Sequence, residues 1–359
     1  APQLLAEVAA AAAAAQGAPL AALGAALVLV AASVVAVRSF NGGSRTYKDG
    51  ENTVGNEYDA WTEEGVLEYY WGEHIHLGYY EPEELRGDFW PPKRDFIEAK
   101  FTFVDKMFDW GWEGPATGPK RILDVGCGVG GTSRHLAKRF PDAEVVGITL
   151  SPKQVQRATE LAAEQGVTNA RFEVMNALDM TWASDQFDMV WGCESGEHMP
   201  DKEAYIKEMT RVLKPGGSLV VATWCQRDLA EGETFTDKEK TQLQFLYDEW
   251  AHPYFISYEE YGRIMERTGV LASVRAANWV RETINSWRHS IWVGVFDPWI
   301  VVFKGPRMWW KVIREIVTLE RMHRAFDCGL MTYGMIRSSK EKPSGQKGGA
   351  TRRLEPRAA

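Results

Sequence analysis

Residues 121–133 read RILDVGCGVGGTS, and the rest of the chain is understood by working outward from them. Ile122, Leu123 and Val125 form a short apolar run that predicts a buried central strand. Gly126, Gly128, Gly130 and Gly131 then permit a sharp turn, because residues without a Cβ take positive φ cheaply and let a ligand lie against the backbone. Residues 134–140 have helical character, so backbone N–H groups at the helix start point at whatever the loop holds. Strand, glycine loop and helix together predict a nucleotide-class site. Gly126, Gly128 and Gly131 satisfy the G-x-G-x-x-G pattern, which alone would admit a dinucleotide. Asp124 argues against one: a carboxylate two residues before the first glycine repels a pyrophosphate and suits a cationic ligand.

The flanking sequence continues the alternation. Strands are expected at 121–125, 144–149, 171–174, 187–191 and 218–224, with helices at 132–140, 152–165 and 202–212. That order predicts a parallel α/β sheet with helices on both faces and ligands at the carboxyl ends of its strands. A helix is also expected at 95–110, a charged helical insertion at 226–249, a helix at 258–268 and a last strand at 329–337. Residues 338–359 read as a disordered polar tail.

In 359 residues, 45% hydrophobic content with 12% aromatics suffices for a large core. A net charge of −8 without a basic stripe excludes general nucleic-acid binding and favours a small or lipid substrate. Cys127, Cys193, Cys225 and Cys328 lack C-x-x-C spacing, so neither a zinc site nor a disulfide framework is expected.

Residues 1–17 are mostly alanine without Lys or Arg, as in a remnant of a targeting segment. Residues 18–37 are nearly uncharged and long enough to cross a bilayer as a helix, or alternatively to form an uncleaved leader or a helix buried against a partner. Arg38, Arg45 and Lys48 follow them, which keeps the downstream domain on the side where it was made. The organisation expected is therefore a membrane span at 18–38, a linker at 39–55 and one domain at 56–337. Within that domain a lid (56–110), a core (118–225) and a cap (226–337) are distinguished. The lid holds EYYWGEHIHLGYY, where Glu73, His74 and His76 sit among aromatic rings that can shift their pKa values and stack on an aromatic ligand. The cap holds a tryptophan-rich tract interleaved with basic residues. It suits an amphipathic helix on the sheet or a helix lying in a membrane interface.

The chemistry-bearing residues fall at strand ends. GITLSPKQ carries no acid for a ribose, but Thr149 and Gln154 offer a hydroxyl and an amide to the same diol. Asn176, Ala177 and Leu178 follow the third strand and would lie beside an adenine. At the end of the fourth, Glu194, Glu197, His198 and Asp201 gather where the sheet opens toward a substrate. A histidine of near-neutral pKa suits proton removal there.

The segment D-V-G-C-G-x-G resembles the first motif of class I methyltransferases that use S-adenosylmethionine, whose amino and sulfonium groups are positive. GITLSPKQ is similar to the T-L-S-x-x-Q motif of cyclopropane synthases and tocopherol methyltransferases. From about Tyr58 to Arg337 the chain resembles the γ-tocopherol methyltransferase group through WGEHIHLGYY, ILDVGCGVGGTSR, GITLSPKQ, ESGEHMPDK and VLKPGGSLVVATW. Glu73, Ile75 and Leu77 depart from the D-H-M-H-H-G of that group.

The resemblance implies a Rossmann-like sheet with a helical, aromatic substrate cap, and S-adenosylmethionine bound by Asp124, Gly126, Cys127, Gly128 and Gly130. Thr149, Leu150, Gln154, Asn176, Ala177, Leu178 and Glu194 would complete that cofactor site. His198, Glu197, Glu73, His74 and His76 would carry catalysis. The activity implied is methylation of a prenylated phenol or quinol at a plastid membrane, on the stromal side, by an enzyme that can associate with a membrane complex. A different lipid or a small amine as acceptor, and a membrane-complex subunit that keeps the fold as a scaffold, remain open on the sequence.

Overall fold

The strand Arg121–Val125 (β1) lies inside a seven-stranded sheet, third from one edge, in a computed structural model that describes residues 53–342 apart from 88 and 251. Its side chains alternate between two cores. Ile122 enters the cluster on one face, with Phe103, Met107 and Leu136, whereas Leu123 and Val125 enter the other, with Tyr205, Ile206 and Met209. A strand buried on both faces is apolar on both, which is why Ile122, Leu123 and Val125 lack the polar alternation of a surface strand and the one buried acid, Asp124, stands out.

Before β1 come α1 (Thr53–Glu64), α2 (Val66–Trp71), an extended crossing segment and α3 (Phe96–Gly111), whose first turn is capped by Asp95 through Ile97 and Glu98. After β1 the chain runs α4 (Gly131–Arg139), β2 (Glu144–Thr149), α5 (Pro152–Glu164), β3 (Ala170–Val174) and β4 (Phe187–Cys193). A 3₁₀ turn at Gly196–His198 leads to α6 (Lys202–Val212) and β5 (Leu213–Gln226). Then follow α7 (Asp237–Trp250), α8 (Tyr258–Arg267), β6 (Leu271–Asn278), α9 (Val280–Thr283), α10 (Asn285–Phe296), α11 (Trp299–Lys304), α12 (Pro306–Asp327) and β7 (Met331–Lys340).

The sheet order is β3-β2-β1-β4-β5-β7-β6. The first five strands are parallel, as expected, while β7 runs antiparallel between β5 and β6. The all-parallel expectation therefore fails at this edge. β6, unassigned in the sequence, buries only Leu271 of its eight residues, so no apolar run marks it. Ser338 to Lys340, expected in the tail, continue β7. There Lys340 pairs with Asp185 at 2.7 Å and donates to the carbonyls of Thr210 and Leu213.

The expected membrane span at 18–37, the segments flanking it and the tail beyond 342 lie outside the described residues. Among the described residues no helix is long and apolar enough to cross a membrane. The four cysteines are free, and three of them are buried.

Candidate active site

The carboxyl ends of β1, β2, β3 and β4 open into a cleft that α1 and the 73–76 segment cover. Gly128, at φ 54°, has no neighbour closer than 3.9 Å where a Cβ would stand, so the loop presents open space to the cleft. α4 starts at Gly130 without a side-chain cap, which leaves its first N–H groups to a ligand. At Gly131 a Cβ would collide with the Glu73 carbonyl oxygen, so this glycine lets the lid backbone lie on the helix start.

Asp124 is buried at the floor of the cleft and accepts a 2.6 Å hydrogen bond from Ser133 Oγ. Burial pushes its carboxyl up to about 6, against the hydrogen bond, so a cation placed beside it would recover that cost. Thr149 Oγ1 donates to Gln154 Oε1 at 2.7 Å, and both line the cleft with Leu150, Asn176 and Ala177. Asn176 accepts from the Leu178 amide, which fixes the turn; Leu178 itself is not on the cleft wall, nor is Gly130. Cys127 and Gly126 are. A buried acid, a hydroxyl–amide pair, an adenine-sized edge and an uncapped glycine loop fit the ammonium, diol, base and backbone contacts of S-adenosylmethionine.

The lid residues do different work. Burial pulls Glu73 upward, but hydrogen bonds from Arg134 (2.6 Å) and Gln165 (2.8 Å) outweigh it and hold its carboxyl below the usual range. Arg134, itself buried, also donates to the Val129 carbonyl, so this pair fastens the lid to the glycine loop. His74 and His76 are buried, and burial depresses both, His76 to about 3.

Glu194 has left-handed backbone (φ 46°), which turns its carboxylate back under the lid. Its Oε1 accepts from the Leu77 amide at 2.8 Å and from Tyr333 Oη at 2.7 Å, joining lid, β4 and β7. Glu197 accepts from Thr223 Oγ1 at 2.7 Å through Oε2, while Oε1 is buried without a partner among the described residues. Burial raises both carboxyls, and the charge of Glu197 raises Glu194 further. Lys202 Nζ donates to the carbonyls of Gly196, Glu197 and Met199 at 2.7–2.9 Å and pins the turn that carries them. Burial pushes its ammonium down to about 7, against the attraction of Glu197.

His198 Nε2 lies 3.1 Å from Tyr58 Oη, and its ring stacks on His252 with centroids 4.4 Å apart. Burial and the nearby Lys202 push it down to about 3, so the near-neutral histidine expected from sequence is replaced by a ring that stays uncharged. Asp201, the fourth member of the expected cluster, caps α6 through the Ala204 amide.

A second cavity of about 630 Å³ adjoins the cleft. Tyr58, Ile75, Glu194 and His198 line both. Beyond them its walls are almost wholly apolar, with Trp224, Trp250, Trp287 and Leu319 among them and Glu197 at the inner end. His252, Trp224 and Tyr333 were not singled out in the sequence. His252 and Tyr333 reach the site from more than twenty residues away from the motifs, so no local spacing marks them, whereas Trp224 ends the motif VLKPGGSLVVATW and reads there only as the end of a strand.

The general methyltransferase-domain family matches residues 117–269. The chain is 43% identical to 2-methyl-6-phytyl-1,4-hydroquinone methyltransferase of Synechocystis, over 81% of this chain and 88% of that protein. It is 33% identical to the chloroplastic tocopherol O-methyltransferase of Arabidopsis thaliana, over 77% of this chain and 79% of that one. A solved structure, geranyl diphosphate C-methyltransferase from Streptomyces coelicolor with S-adenosyl-L-homocysteine bound, shares the fold with a TM-score of 0.60 at 17% identity, covering 80% of this chain and 96% of that one.

Proposed function

The chain belongs to the family of S-adenosylmethionine-dependent methyltransferases that includes these hydroquinone and tocopherol enzymes, and from that premise we propose that it methylates a prenylated quinol or phenol at a plastid membrane. As an S-adenosylmethionine-dependent methyltransferase it is an enzyme and not a scaffold that merely keeps the fold. The observation that carries the acceptor reading is the apolar cavity joined to the cofactor cleft through Tyr58, Ile75, Glu194 and His198. A hydrocarbon tail gains free energy from leaving water there, while a polar ring can stop at the inner end beside the carboxylates.

Asp124, the Gly126–Val129 backbone, Thr149, Gln154, Asn176 and Ala177 would hold the cofactor. When bound, it supplies a methyl group made electrophilic by its sulfonium. Glu197 is our candidate for the acceptor's hydroxyl proton: its Oε1 has no partner among the described residues and its raised pKa brings it toward neutrality. His198 and Tyr58 position the ring, and the tryptophan walls exclude water. Glu73, His74 and His76 shape and close the cleft.

The test is turnover of a prenylated hydroquinone and of the same ring without its tail, read by product mass. A methylated product with much higher kcat/KM for the prenylated ring supports the proposal. Methylation of an amine instead, or no product from either ring by protein that binds the cofactor, overturns it.

A further inference from the structure

The apolar cavity opens on a face whose side chains do not behave like a soluble surface. Along α10, α11 and the start of α12, Phe296 is 66% exposed, Trp299 61% and Phe303 83%. Trp309, Trp310 and Ile313 follow, each nearly half exposed. The run is extended by stacking: Trp90 stacks on Trp292 and Trp292 on Phe296. Single exposed apolar residues are ordinary, but a sustained aromatic patch marks an interaction surface. The second half of α12 is different, with Met322, Ala325 and Phe326 buried in the core, so the helix is anchored at one end and presents its other end outward.

We propose that this edge, residues 295–313, docks in the headgroup–acyl boundary of a lipid bilayer and that the cavity mouth lies within the docked face. The proposal rests on the prenylated-acceptor reading for the purpose it serves. Two observations choose a bilayer over a protein. Val295, Val302, Trp309 and Ile313 are exposed and at the same time line the cavity, so the patch is its rim. Between Asp297 and Glu315 the chain has Lys304, Arg307, Lys311 and Arg314, although the whole chain carries −8; Lys311 pairs with Glu64 and Arg314 with the buried Glu249, which leaves the exposed Lys304 and Arg307 as the positive charges that an anionic lipid surface would meet. An acceptor dissolved in the bilayer then slides into the cavity without exposing its tail to water.

The test uses the full chain and its Phe296→Ser/Trp299→Ser/Phe303→Ser variant, none of whose changed side chains lines the cavity. Vesicles of phosphatidylcholine with and without phosphatidylglycerol serve as the membrane. Amide exchange across 295–313 should slow when vesicles are added, more so with phosphatidylglycerol, and the variant should show no slowing. Turnover of a vesicle-borne prenylated quinol should fall about tenfold in the variant, while turnover of the detergent-dispersed quinol stays unchanged. Exchange unaffected by vesicles overturns the proposal. So does slow exchange already present without lipid: if it is lost on dilution a second copy covers the patch, and if it is independent of concentration a segment of the chain itself, such as 18–37, does. Failure of wild-type protein to methylate the dispersed quinol sinks the acceptor reading instead, whatever the vesicles do to exchange.

Discussion

Nδ1 of His74 lies 3.2 Å from Nε2 of His76, and this contact fixes the tautomers of both rings. His76 Nδ1 faces the Leu77 carbonyl at 2.8 Å and has to donate to it, which makes its Nε2 an acceptor. His74 must then donate from Nδ1. Its Nε2 is left a lone pair, buried and without a partner among the described residues, on a side chain that lines the cofactor cleft. A cofactor ammonium is the donor such an acceptor calls for. Replacing His74 with Leu is expected to weaken S-adenosylmethionine binding about tenfold or more, with a smaller effect on kcat, as measured by titration calorimetry and steady-state kinetics. Unchanged affinity would remove His74 from the cofactor site.

Asp124 gives a pH dependence with a definite sign. Its carboxyl is raised to about 6 by burial, so the neutral form is favoured in the free protein below that pH and the anion above it. Cofactor affinity should therefore rise with pH through about 6 and then level off. Asp124→Asn should flatten the dependence and cost about 1–3 kcal/mol of binding at neutral pH. For folding the sign is opposite: the raised pKa contributes stability below the ordinary carboxylate range, and this is lost as pH rises through about 6.

Glu197 should dominate the pH profile of turnover. Because its carboxyl is raised by burial, the anion that accepts a proton forms only above the ordinary carboxylate range, and kcat should climb on an acidic limb displaced toward neutrality. Glu197→Gln is expected to lower kcat on the order of 10²–10⁴-fold and to remove that limb, with cofactor affinity nearly intact. His198→Ala should retain the limb and raise KM more than it lowers kcat. A limb that survives Glu197→Gln and disappears in His198→Ala would reverse the two roles.

Lys202→Met tests the support beneath them. The substitution leaves the carbonyls of Gly196, Glu197 and Met199 without their shared donor and is expected to cost about 1–3 kcal/mol in denaturant unfolding. Turnover should fall while cofactor affinity holds, because Asp124 and the glycine loop lie elsewhere. Lys202→Arg should recover part of both losses.

The residues legible in the sequence were those whose roles are set locally. The β1 apolar run and the glycine loop depend on neighbours a few positions away, so their spacing announced them. His198 is legible as a site residue, but its depressed pKa is not, since that comes from burial, with His252 and Tyr58 brought against it from distant parts of the chain, and from the nearby Lys202. Glu73 is legible as a titratable group in the lid, but its partner Arg134 lies 61 positions on, so the pairing is not. β6 escaped because it is an edge strand with one buried residue. The tryptophan tract admitted two readings, and the structure divides them along α12: core packing at one end, an open aromatic face at the other.

Among the described residues β7 is the last strand in the chain, yet it inserts between β5 and β6, and its Tyr333 holds the Glu194 carboxylate. The order of synthesis thus becomes a safeguard. A nascent chain can form β1 and its glycine loop early, but the carboxylate end of the site is not assembled until residue 340 is free to pair. A truncation that removes β7 is expected to strip Glu194 of its Tyr333 donor and leave a cofactor-binding fragment with no organised place for an acceptor.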